Sequence, residues 1–169
     1  MIKKTALSIL LIYAAAGTNA QTLSPSLGHA AAGDEIQNPA LDELKPEVRA
    51  SLGPAIAYFE KKKTTASGAE LGRQFGKLGL HYFAHEVQEP ARQCLEKAIS
   101  LDPDDFRWPY YLAAHYEETG VFESALVNYG RTLKINPAFA PAGIRSGLLL
   151  IELNRYDEAF RLLDAVNRD

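Results

Sequence analysis

The chain has 169 residues, of which 47% are hydrophobic and 23% charged, enough for one soluble domain with a buried core behind a targeting segment. Its formal net charge is −3, and −5 without Lys3 and Lys4, so no basic surface is available to neutralise a phosphate backbone and nucleic acid is excluded as an expected partner. The single cysteine, Cys94, excludes an internal disulfide.

Residues 1–20 have the layout of an export signal. Lys3 and Lys4 form the charged start, Thr5 to Ala16 the apolar middle, and Thr18-Asn19-Ala20 a small-residue cleavage site, with Ala14-Ala15-Ala16 as an alternative. The apolar run is too short to span a bilayer comfortably, so no stable membrane insertion is expected after cleavage. Gln21 stands where a lipid-anchored protein would need cysteine. The expected location is the periplasm or the exterior of a bacterium.

Residues 21–40 shift to Ser, Pro, Gly and Ala, with Leu23, Leu27 and Ile36 too sparse for an amphipathic face, and read as a flexible linker. Residues 41–66 read as a capping helix. Pro46 suits a first turn, and Val48, Leu52, Ile56 and Phe59 recur at spacings of three and four. Gly53-Pro54 should kink or split this helix, because proline removes one amide donor and crowds the preceding turn. Lys61-Lys62-Lys63 complements the dipole at its C-terminal end.

Residues 67–169 carry a repeating pattern. Ser67-Gly68-Ala69-Glu70 has capping-box spacing at the entry to the first helix. Pro103 and Pro137 are 34 residues apart, and the same interval relates Gly79, Ala113 and Gly147; Tyr82, Tyr116 and Leu150; and Ala91, Ala125 and Ala159. A period of this length, with helical spacing inside each unit, predicts a helix-turn-helix solenoid with units at 72–105, 106–139 and 140–169. Small residues at Gly79 and Ala91, Ala113 and Ala125, and Gly147 and Ala159 should let paired helices cross closely. Gly120 and Asn154 suit left-handed turns between the helices of a pair; Glu86 at the same place in the first unit implies a differently built turn there. Leu149, Leu153, Leu162, Leu163 and Val166 are expected to leave apolar surface near the open C-terminal end.

These residues make the chain resemble a tetratricopeptide repeat (TPR) protein of the exported bacterial kind. The first unit matches the family pattern at Phe75, Leu78-Gly79, Tyr82, Ala91, Leu95, Ala98 and Pro103. The second matches at Leu112-Ala113, Tyr116, Gly120, Ala125, Tyr129 and Pro137, with Trp108 displaced by one place; the third keeps Gly147, Leu150, Asn154 and Ala159. The resemblance implies an all-α, right-handed α-α superhelix with an N-terminal capping helix. It also places the ligand on a concave surface lined by first helices: Arg73, Lys77, Leu80 and Phe83; Arg107, Tyr110, Tyr111, Ala114 and Glu117; and Ile144, Arg145, Leu148 and Ile151. Tyrosine offers contact area at low entropic cost and arginine grips carboxylates, so a peptide or helix is the expected partner. The family's chaperone-tail clamp is not implied, because Gly76, Leu80, Tyr111 and Pro141 occupy its polar positions and only Arg145 matches. Self-association through the C-terminal unit, giving a homo-oligomer, is the alternative.

Catalytic and metal-ligating readings find little to stand on. His81 and His85 share a helical face, but no glutamate follows the first histidine as in metalloproteases and no third ligand is evident, so packing is the expectation. His115 should lie near His81 one unit on. Cys94 reads as a buried inert thiol, and Asp102, Asp104 and Asp105 as caps at a helix junction. The expected protein is non-catalytic and without cofactor or metal.

Overall fold

The computed structural model describes Ile36 and residues 38–166. The predicted signal segment and the predicted linker up to residue 35 lie outside the described residues. A single 3-10 turn, Leu41–Glu43, precedes seven helices: α1 (Pro46–Lys63), α2 (Gly68–Ala84), α3 (Gln88–Leu101), α4 (Arg107–Glu118), α5 (Phe122–Ile135), α6 (Ala140–Glu152) and α7 (Tyr156–Val166). Among the described residues, α2 pairs with α3, α4 with α5 and α6 with α7, and each pair stacks on the next, with α1 on the outer side of α2.

Small residues govern the pairing. A methyl group on Gly79 would meet Leu95 Cγ at 3.0 Å and Cys94 Cβ at 3.1 Å, and Ala91, Ala113 and Ala125 are fully buried at the equivalent crossings. In the last pair Leu163 lies over Gly147 and Val166 over Gly143. The expected exposure is corrected for Leu149, which is buried; Leu153, Leu162, Leu163 and Val166 are half-buried, Leu153 against the cluster of Ala113, Ala125 and Tyr129, and Leu163 and Val166 over the two glycines. Tyr156 and Phe160 are the apolar side chains that α7 exposes.

The three intra-pair turns are alike, which overturns the separate construction expected for the first. Glu86, Gly120 and Asn154 all adopt positive φ, 58°, 76° and 60°. The amide after each bonds back across the turn, Val87 to the Tyr82 carbonyl at 2.9 Å, Val121 to Tyr116 at 2.8 Å and Arg155 to Leu150 at 2.8 Å. The left-handed residue itself donates to Phe83, Glu117 or Ile151 at 3.0, 3.2 and 3.0 Å, completing a Schellman motif each time. Packing of the next helix sets this geometry, and Glu86 adopts it although its Cβ disfavours it.

Two further expectations change. The assigned helix α1 runs unbroken through Pro54, rather than splitting there. Pro54 and Ala50 are both exposed, so the carbonyl that loses its donor sits where water can serve it. The Ser67 side chain caps nothing, and Glu70 instead accepts from Arg73 Nε at 2.9 Å and from Gln74. Of the three aspartates at the α3–α4 junction, Asp105 takes the Arg107 amide at 3.0 Å, whereas Asp102 faces Trp108 Nε1 at 3.5 Å.

Trp108 locks the first pair to the second. Its ring lies flat against Gly76, where an added Cβ would come within 2.5 Å of two ring carbons. Gly76→Ala should therefore lower stability by about 1–3 kcal/mol, because the ring is wedged and cannot retreat. Glu86→Gly should raise it by about 1 kcal/mol by relieving the left-handed strain; denaturant midpoints of the two variants against wild type check both signs.

Candidate protein-interaction surface

The predicted contact residues fall on α2, α4 and α6, but their chemical availability differs sharply. Each arginine already has a carboxylate. Arg73 is bound by Glu70 and lies 3.9 Å from Asp102, Arg107 is held by Asp105 through its Nε at 2.9 Å, and Arg145 reaches Glu117 at 3.1 Å. Hydrogen bonding to Arg107 holds the Asp105 carboxyl below its ordinary range. A ligand carboxylate would have to share these guanidinium groups with an internal one, as Glu89 and Glu96 share Arg92.

The Glu117–Arg145 pair belongs to a three-helix junction. Tyr129 on α5 donates to Glu117 Oε2 at 2.6 Å and accepts from Arg145 Nε at 2.7 Å, so α4, α5 and α6 share one network. Burial, reinforced by Glu117, pushes the Tyr129 phenol well above its ordinary value. Tyr110 is half-buried against Phe139, ring centroids 5.0 Å apart, and against Tyr111 at 5.3 Å. Tyr111 packs on the first core cluster, and Ala114 is buried. Phe83 is likewise half-buried, its ring 6.3 Å from that of His115.

What α6 presents is different. Ile144, Leu148 and Ile151, at spacings of four and three, are 47%, 59% and 43% exposed and form an apolar stripe.

At the other end, α1 and α2 enclose a cleft of about 660 Å³. Lys77 and Leu80 line it, joined by His81 of α2 and by three residues the sequence did not single out, Ala55 and Tyr58 from α1 and Ala84 from α2, over a base of Phe59 and Leu78. The spacing of Ala55, Tyr58 and Phe59 could have flagged a helical face, but only the docking of α1 shows that this face leaves room.

The histidines keep their periodic relation without forming a pair. His81 opens into the α1–α2 cleft, whereas His115 is buried beneath α3 among Phe83 and Tyr116. His85 Nε2 lies 2.8 Å from Ser51 Oγ and ties α2 to α1. Among the described residues no cluster of three or more His, Cys, Asp or Glu side chains could hold a metal ion, and no helix is long and apolar enough to cross a membrane. Burial raises the Cys94 thiol to about 12 and keeps it protonated.

His115 Nδ1 is buried without a hydrogen-bond partner. Burial holds its pKa below 6.5; Arg92 adds to this, while Glu89 and Glu96 on the same helix oppose it. Below the unfolded value the unfolded chain takes a proton that the folded chain resists, so this contribution to stability is lost as pH falls. His115→Leu should therefore flatten the decline in denaturation midpoint between about pH 7 and about pH 5; an unchanged decline would show that other groups set it.

No protein-family model matches the chain. A curated relative, the cytochrome c-type biogenesis protein CycH of Rhizobium meliloti (strain 1021), is 38% identical over 55 residues, which cover 32% of this chain and 14% of that protein. The chain thus matches only a small part of that relative's length. The solved structure of MamA superposes with a TM-score of 0.63 at 24% identity, over 69% of this chain and 67% of MamA. The second TPR of Spaghetti (RPAP3), solved bound to the HSP90 peptide SRMEEVD, superposes with a TM-score of 0.54 at 19% identity, over 58% of this chain and 91% of that one. With the 34-residue period, the three matching turns and the small-residue crossings, these likenesses establish that the chain folds as a tetratricopeptide-repeat solenoid.

Proposed function

We propose that this chain is a non-catalytic protein-interaction module of the bacterial envelope, exported by its N-terminal signal, which binds a peptide or helix on the face formed by its first helices. The exposed row Ile144, Leu148 and Ile151 carries this reading, because it supplies apolar contact that no internal group uses. An amphipathic helix presenting apolar residues at the same spacing matches such a row. The RPAP3 repeat domain shows that the fold can hold a peptide. The mode here differs from a carboxylate clamp, since the arginines of the face are internally paired and Gly76, Leu80, Tyr111 and Pro141 offer no clamp side chains.

A peptide library screened against the chain tests this. Peptides that it retains should lose about tenfold or more in affinity on Leu148→Glu, with helical content unchanged; retention unaffected by both Leu148→Glu and Ile144→Glu would remove the groove from consideration.

Self-association is the second reading, and Phe160, 73% exposed on α7, favours it. Phe160 and Tyr156 stand 34 residues after Leu126 and Phe122, which pack on the second core cluster beside α6. The face of α7 is thus a copy of one that elsewhere receives a helix. Light scattering over a concentration range should show a dimer that Phe160→Glu dissolves if this face associates, and a monomer at every concentration if it does not. Leu153, being packed against the second core cluster, is unsuitable for that experiment.

A further inference from the structure

The geometry points to a second binding site in the cleft between α1 and α2, which takes an acidic peptide through one aromatic anchor. It shares with the preceding reading only the premise that the partner is a peptide; its residues, apart from Lys77 and Leu80, are its own.

Shape comes first. At about 660 Å³ the cleft lies in the range of sites that enclose a bulky side chain with its flanking backbone. Small side chains from both helices line it, Ala55 on α1 and Ala84 on α2, with Leu80 alongside. Phe59 and Leu78, both buried, close the bottom, and Phe59 is itself braced by Phe75 with ring centroids 4.8 Å apart. The exposed Tyr58 ring forms one wall. An indole or phenyl group placed there would meet aromatic and aliphatic carbon of Tyr58, Phe59, Leu78 and Leu80, with Ser51, Gln74, Lys77 and His81 adding polar atoms to the lining.

Charge then selects the partner. Among the described residues no carboxylate lines the cleft, whereas Lys77 and His81 do. Lys62 Nζ stands 5.6 Å from the centre of the Tyr58 ring and Lys63 Nζ 5.9 Å from that of Phe59, so α1 adds two ammonium groups over the aromatic residues of the site. Of the nearby acids, Glu70 is held by Arg73 and Gln74, while Glu60, 3.6 Å from Lys63, offsets that one lysine and leaves Lys62 and Lys77 as the net positive charge. In a chain of net charge −3 this is a local reversal of sign. Carboxylates flanking an aromatic anchor would be drawn to the lysine rim while the anchor fills the apolar interior.

Fluorescence anisotropy of a short dye-labelled peptide, one tryptophan flanked on both sides by glutamates, tests the site in the full chain. Saturable binding is expected, weakened about tenfold or more when the glutamates become lysines or the tryptophan becomes alanine. Ala55→Trp, which fills the cleft, should abolish binding, and Lys77→Glu, an exposed change, should weaken it about tenfold while improving binding of the lysine-flanked peptide. Leu148→Glu, on the distant α6 row, should leave it unchanged. Equal binding of both peptides, indifference to Ala55→Trp and Lys77→Glu, or no binding at all would overturn this site while leaving the α6 row to be judged on its own assay. Loss of binding on Leu148→Glu alone would place the peptide in the other site and overturn this one equally.

Discussion

The close crossing of the two helices in each pair is the constraint on which the rest of the structure depends. With no side chain at Gly79, Cys94 and Leu95 can press against the backbone of α2. This approach buries Tyr82, Leu95 and Ala98 completely and returns the chain after each short turn in the same direction. Stacked pairs then present their first helices side by side, and those helices become the surface on which a partner can lie. A bulkier residue at any of these crossings would move a whole helix and the row of side chains it displays.

Between pairs, aromatic side chains take over from glycine. Trp108 lies flat on Gly76 with the Arg107 guanidinium carbon 4.8 Å from its ring centre, and Phe139 fills the next junction between Phe106 and Tyr110. The polar counterpart is the Glu117–Tyr129–Arg145 network, which spans three helices. Binding energy available to a partner is correspondingly redistributed. Of the arginines on α2, α4 and α6 that look suited to ligands, Arg145 is tied across helices to Glu117 and Tyr129, whereas Arg73 and Arg107 pair mainly with near neighbours along the chain. Ile144, Leu148 and Ile151 on α6 instead keep much of their apolar surface exposed. The two surfaces proposed for recognition accordingly lie at the two ends of the array.

Much of the architecture was legible in the residues. The 34-residue interval announced the helix pairs, Gly120 and Asn154 marked two of the turns, and the small residues at the crossings are buried where the spacing placed them. Less of the candidate site could be read. Tyr110 and Ala114 fall on the expected helix, but their exposure depends on Phe139 and on the neighbouring helices, which periodicity does not weigh. Leu163 and Val166 looked like an exposed end because the glycines that receive them, Gly147 and Gly143, lie more than fifteen residues earlier. Glu86 shows the opposite limit: a residue with the wrong local preference adopts the shared turn because the packing of both flanking helices outweighs about 1 kcal/mol of backbone strain.

The sequence by itself determined the helical class, the number of repeating units, the places where helices touch and the acidic character that argues against nucleic acid. These follow from spacing and from side-chain size, properties that each residue carries with it. Only the tertiary structure decided which arginines are spoken for, where an apolar stripe stays open, and that α1 rests on α2 with a cleft beneath Tyr58 and Lys77. Availability to a partner is what remains after every internal contact has been made, and those contacts join residues that periodicity alone does not bring together.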